Sequence, residues 1–219
     1  MDVKLQFQYE LTKGKFVTVE TDWFAIEYAK QALFRAGERF DRNTLQLIEE
    51  TGMTWTYKEF LAQSQQKDVV QQFSIWTDGS FSPMNYEGAY GFEVEWVTST
   101  SIHRHRQSAH IGRVQTSSEA EYIAIYEAFR WMQLEGIRGV AGTVHSDAKG
   151  AMMQLKGDYP CYDVKLCDWL DRIEELVHQQ ALRPVWKVIS RADNDSAHRL
   201  AKRALEGQDI YATIELENE

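Results

Sequence analysis

From residue 73 onward the chain lays down three strand-like segments in succession and then alternates helix with strand. That order predicts a mixed sheet flanked by helices. The strands are FSIWTDG from residue 73, the alternating run YEGAYGFEVEW (86–96) and a third near 104–114. A helix over 118–134 follows, then the strand GTVHSD (142–147), the short helix AKGAMMQL and a longer helix from about 163 to 180. The strand PVWKVIS and a helix over about 193–205 close the pattern, and no solenoid-length repeat interrupts it.

The segment before residue 73 has its own logic. Val3, Leu5, Phe7 and Tyr9 alternate with polar residues, a turn at Lys13-Gly14-Lys15 follows, and FVTVE completes a hairpin. Asp22 is placed to cap a helix carrying Trp23, Ile26, Ala29 and Leu33, with Gly37 as its stop. TLQLIEE (44–50) reads as a third strand, and Thr56-x-x-Glu59 as a capping box opening a last helix. The expected organisation is a small α+β domain of ββαβα order over 1–66, a linker over 67–72, an α/β domain over 73–207 and an acidic tail over 208–219.

Charge and cysteine content narrow the function classes. A formal net charge of −9 argues against indiscriminate binding of polyanions. No apolar run approaches the ~18 residues of a membrane span, and MDVKLQFQYE lacks the basic and apolar regions of a signal peptide, so a cytoplasmic protein with no membrane partner is expected. Cys161 and Cys167, six apart, make neither a metal knuckle nor a disulfide framework and read as reduced and structural.

Three carboxylates stand where a packed domain rarely puts them. Asp78 and Asp147 end strands, the edge where open α/β sheets bind ligands, although Asp78-Gly79 also suits a turn and Asp147 a helix cap. Glu121 shares a helical face with Ala124, Ile125, Ala128 and Met132, so it points with the apolar stripe. A carboxylate so placed needs a cation, a metal or a proton, because burial without one costs several kcal/mol. His198 lies at the edge of the stripe Ala197, Leu200, Ala201, Ala204 and Leu205, a position equally suited to an ordinary core histidine.

The segments IWTDGSFS (75–82), TSSEAEYIA (116–124), HSDAKG (145–150) and ISRADNDSAHRLAKRAL (189–205) together resemble the ribonuclease HI family, of prokaryotic type with an added N-terminal domain. The resemblance implies a ribonuclease H-like five-stranded mixed sheet and cleavage of the RNA strand of RNA/DNA hybrids with two divalent cations, Mg2+ or Mn2+. It implies that Asp78, Glu121 and Asp147 are three of four catalytic, metal-binding acids, and that His198 stands at the fourth position, where most members have Asp. It implies nucleic acid-binding roles for Gly79, Ser80, Ser117, Ser118, Arg191 and Asn194.

The chain departs from the family elsewhere. LKGDYPCYDVKL replaces a basic helix and loop, and the loop Ser190-Arg191-Ala192-Asp193 lacks a histidine. An imidazole for a carboxylate predicts a preference for manganese over magnesium. The alternative is a weakened or inactive protein that binds nucleic acid or a protein partner. Phe7, Tyr9 and Phe16 fit a small core better than a base-stacking surface, and the N-terminal domain suits self-association or protein contact. In His103-Arg104-His105-Arg106, strand alternation separates histidines from arginines, which favours phosphate contact by Arg104 or Arg106 over metal binding.

Overall fold

A computed structural model describes residues 2–64 and 69–216. The chain forms two compact units, one of Met1–Lys67 with Leu134–Gly136, the other of Asp68–Gln133 with Ile137–Glu219. Among the described residues no helix is long and apolar enough to cross a membrane.

In the first unit β1 (Asp2–Thr12) and β2 (Lys15–Glu20) form the expected hairpin, and β1 also pairs with β3 (Phe24–Ala25) and β4 (Gln46–Glu49). β5 (Thr54–Thr56) extends the sheet beside β4. Val3, Leu5 and Phe7 alternate inward onto Ala29 and Leu33 of α1 (Ala29–Arg39). Helix α2 (Tyr57–Ser64) opens with the capping box: Thr56 Oγ1 accepts from the Glu59 N–H at 3.2 Å, and the Glu59 carboxylate accepts from the Thr56 N–H at 3.0 Å.

Two expectations for this unit are corrected. Asp22 does not cap α1, because residues 24–25 pair with β1 and a 3-10 turn over Ile26–Tyr28 intervenes. Gly37 does not end α1 but is buried within it, since the helix continues to Arg39.

The second unit is built on the sheet β10-β9-β6-β7-β8-β11. β6 (Gln72–Ser82), β7 (Glu87–Val97) and β8 (Ile102–Arg113) form an antiparallel meander, while β9 (Ala141–Ser146) and β10 (Arg183–Val188) add parallel strands beside β6. α3 (Ser117–Leu134) places Ile125, Ala128, Phe129 and Met132 in the core with Phe73, Ile75 and Val144 from the sheet. α4 (Lys149–Leu155) and α5 (Val164–Gln179) follow β9, with Asp163 capping α5 through bonds from the Lys165 and Leu166 amides. α6 (Asp195–Leu205) lies against β6, β7 and β8.

The sheet has six strands rather than five. The segment expected to be an acidic tail contains β11 (Ile210–Leu216), which pairs antiparallel with β8 along its length from Ile210 opposite Ser108 to Leu216 opposite Ile102. The strand holds a single acid, Glu215, after the alternating Ile210, Ala212 and Ile214, and the free edge of β8 supplies the partner. At the other boundary β6 begins at Gln72, inside the expected linker, of which 67–68 lie outside the described residues.

Candidate active site

The local fold brings Asp78, Glu121, Asp147 and His198 to one end of the sheet. Parallel pairing of β6 with β9 stops at Trp76 and His145, so Asp78 and Asp147 each lie two residues beyond it. Asp78 is not in a turn: β6 continues antiparallel to β7 as far as Ser82. Asp147 is not a helix cap either; Ala148 is the N-cap of α4, and Ser146 Oγ accepts the Ala148 N–H at 3.1 Å. Both carboxylates are therefore left for the site.

Glu121 reaches the same place because β6 and α3 touch backbone to backbone. A Cβ at Gly79 would lie 2.3 Å from Ala120 C and from Glu121 N. In that contact the Gly79 N–H donates to Glu121 Oε2 at 2.9 Å. Gly91 plays the matching role for α6, since a Cβ there would meet Ala201 N at 2.4 Å and Ala197 O at 2.7 Å. The close approach sets His198, one residue on from Ala197, against Asp78, with Nδ1 3.2 Å from Oδ2.

Each acid is held by a separate neighbour. Asn194, buried at the start of α6, donates through Nδ2 to Thr77 O at 2.9 Å and to Asp147 Oδ1 at 2.7 Å. Arg191 Nη1 lies 3.7 Å from Asp147 Oδ2, and its Nη2 lies 3.0 Å from His198 Nε2. Among the described residues no three His, Cys, Asp or Glu side chains make a closed metal-ligand set.

The acids act on one another electrostatically. Burial raises the Asp78 carboxyl above the usual range, the His198 hydrogen bond opposes that rise, and the charge of Asp147 adds to it. Burial also pushes Glu121 well up, followed by the charge of Asp78, with the Gly79 N–H acting in the opposite direction. The donor set is one of carboxylate oxygens, suited to hard divalent cations, and Asn194 Oδ1 beside it is buried without a hydrogen-bond partner. The residues present therefore fit a divalent cation.

Of the six positions proposed to contact nucleic acid, Ser117 and Ser118 are exposed at the first turn of α3, Arg191 is exposed, and Ser80 is partly buried on β6. Asn194 and Gly79 bond the acids themselves. Arg104 and Arg106 are committed elsewhere: Arg104 pairs with Glu95 and lies 3.3 Å from Glu93, and Arg106 pairs with Glu93 at 2.6 Å. His105 is buried, stacked 4.2 Å from Trp131. Sequence reading missed Glu93, which also accepts from Ser196 Oγ at 3.0 Å; the facing pairs Glu93/Arg106 and Glu95/Arg104 across β7 and β8 were the available signal.

Residues 100–204 match the family described as reverse transcriptase-like. The chain is 30% identical over 199 residues to the uncharacterized protein YpeP of Bacillus subtilis (strain 168), covering 90% of this chain and 87% of that protein. RNase H1 from the halophilic archaeon Halobacterium salinarum NRC-1 has a similar structure, with a TM-score of 0.53 and 23% identity over 63% of this chain and 99% of that one. LC11-RNase H1, solved in complex with an RNA/DNA hybrid, gives a TM-score of 0.52 and 24% identity over 62% of this chain and 97% of that one. The likenesses to solved structures establish the shared fold, and together with the match along the sequence they show that the chain belongs to the ribonuclease H-like family.

Proposed function

We propose that the protein is a metal-dependent endonuclease that hydrolyses the RNA strand of RNA/DNA hybrids and prefers manganese. The observation that carries this reading is the convergence of Asp78, Glu121 and Asp147, with the carboxyl of Asp78 raised by burial and the charge of Asp147, and that of Glu121 by burial and the charges of Asp78 and Asp147. An inward Glu121 that, among the described residues, is bonded by the Gly79 N–H and by no buried cationic side chain makes little sense as a packing residue and good sense as a ligand. Asp78, Glu121, Asp147 and His198 would hold two divalent cations. When bound, such ions supply Lewis acidity for the attacking water and for the leaving oxygen.

The chain's own residues do the rest. Asn194 holds Asp147 in place, Gly79 aims Glu121, and Arg191, exposed at the rim, meets a backbone phosphate. Ser80, Ser117 and Ser118 border the approach and supply short polar contacts to the substrate. The likeness to LC11-RNase H1 solved with an RNA/DNA hybrid supports that substrate class.

A second reading is favoured by the contact of Arg191 with both His198 and Asp147: the arginine cation already partners part of the acid cluster, as in a protein that binds hybrids without cutting them. One experiment separates the two. The protein is incubated with labelled RNA/DNA hybrid, double-stranded RNA and single-stranded DNA in manganese, magnesium or chelator, beside Glu121→Gln. Cleavage of the hybrid alone, lost in chelator and in the variant, is the expected result; hybrid binding without cleavage in any metal refutes hydrolysis and leaves the binding role.

A further inference from the structure

The loop between α4 and α5 and the first turn of α5 carry the two cysteines of the chain, and the acid site uses neither. Cys161 lies in the loop and Cys167 in the first turn of α5; both are free thiols and partly exposed. One backbone group fixes both: Asp163 O accepts the Cys167 N–H at 2.9 Å and the Cys161 thiol at 3.7 Å. The shared carbonyl brings the Cys161 sulfur beside the backbone of Cys167. Two soft ligands do not hold a structural zinc, which takes four, and among the described residues no third joins them.

The pair is tied on each side to the start of α3. Gln154 Nε2 donates to the carbonyl of Pro160, next to Cys161, at 2.9 Å, and Tyr122 OH donates to Gln154 Oε1 at 2.6 Å. Lys165, two residues before Cys167, lies 2.8 Å from the buried Glu119 carboxylate, which also accepts from the Gln115 N–H at 2.7 Å. The ties land at 119 and 122, on either side of Glu121.

We propose that Cys161 and Cys167 form a reversible disulfide, closed by peroxide, that fastens the α4–α5 loop around the first turns of α3. The Cys167 thiolate attacks one oxygen of hydrogen peroxide; the O–O bond breaks, hydroxide leaves and takes up a proton as water, and Cys167 becomes a sulfenic acid. The sulfur of Cys161 then displaces the hydroxyl, forming the S–S bond, and its own proton departs with that hydroxyl as a second water. Two thiols are oxidised and one peroxide is reduced.

The order of the two steps follows from the surroundings. Burial, with Cys167 and Asp163 adding to it, pushes the Cys161 thiol up to about 11, so it stays protonated at neutral pH and resolves rather than attacks. Cys167, in the first turn of α5, is the partner left to attack.

The test uses the full chain, treated with a few equivalents of hydrogen peroxide, denatured, and alkylated with iodoacetamide. Because the chain has two cysteines only, closure is read as a monomer about 2 Da lighter with no alkylated thiol, reversed by dithiothreitol. Trypsin, cutting after Lys165, should yield joined peptides containing Cys161 and Cys167. Cys161→Ser should stop at a sulfenic acid that dimedone captures, whereas Cys167→Ser should remain alkylatable. Amide exchange over 117–122 should slow in the oxidised protein. Sulfinic acid in the wild type, a bond between two chains, or an oxidised protein with unchanged exchange over 117–122 would overturn the proposal; none of these readouts depends on hydrolysis.

Discussion

His198 Nδ1 lies 3.2 Å from Asp78 Oδ2, so an imidazole stands beside the innermost acid of the cluster. His198→Asp replaces a hydrogen-bonding partner with a like charge. The metal-free variant should melt a few °C below the wild type, the shift expected of about 1 kcal/mol in a domain of this size. Magnesium should restore it, and magnesium-dependent hybrid cleavage should rise by roughly tenfold. Calorimetry with and without the ion, beside a cleavage assay, checks both; equal magnesium activity in the two proteins would remove the case for a manganese preference.

Burial raises the Glu121 carboxyl above its unfolded value, which gives a sign to the pH dependence of stability. A raised acid binds its proton more tightly when folded. Its contribution is complete below the unfolded value, near 4.5, and is lost as pH rises through the folded one. In chelator, Glu121→Gln should therefore be more stable than wild type at pH 8, with the difference shrinking toward pH 4. Glutamine keeps an oxygen for the Gly79 N–H, so urea unfolding at several pH values isolates the charge.

Gly79→Ala tests the contact that aims Glu121. The added methyl meets backbone on α3 at 2.3 Å, and no side chain can rotate out of its way. Unfolding free energy should drop by at least the ~1–3 kcal/mol typical of overpacking. Cleavage should fall further than stability accounts for, which kinetics at a temperature well below the transition would reveal.

Asn194→Leu removes both donors that join Thr77 O to Asp147. A buried carbonyl left unpaired costs about 1–3 kcal/mol. The expected result is a lower urea midpoint together with weaker manganese binding by titration calorimetry, because Asp147 loses its anchor.

Arg191 and the β8 arginines should separate in salt dependence. Arg191→Ala should reduce the slope of log hybrid affinity against log salt by about 1, the loss of one phosphate contact. Arg104→Ala should leave it unchanged, because that guanidinium is already paired with Glu95. An equal change in both variants would show that Arg104 gives up its partner to the substrate.

Much of the site was legible because its acids occur at element boundaries with strong local signals. Asp78 and Asp147 follow apolar strand runs, and Glu121 breaks an otherwise apolar helical stripe whose members Ala124, Ile125 and Ala128 are fully buried. What escaped reading depended on partners distant in sequence. Residues 210–216 lie in an acid-rich terminal stretch that follows a complete-looking domain, and only the exposed edge of β8 reveals them as a strand. Likewise, Arg104 and Arg106 read as free cations until β7 places Glu95 and Glu93 opposite them. Asp22 looked like a cap because local propensity cannot anticipate the pairing of Phe24 with Val3.

The pairing of β11 with β8 has a consequence in time. β8 is complete at Arg113, but the strand that covers its edge begins at Ile210. At roughly 5–20 residues per second, a growing chain leaves that edge open for about 5–20 s after β8 is made. The arginines of the pairs Arg104–Glu95 and Arg106–Glu93 lie on β8 itself, and charge on an open edge discourages pairing with foreign strands. During synthesis these arginines act as guards for a seam that closes late.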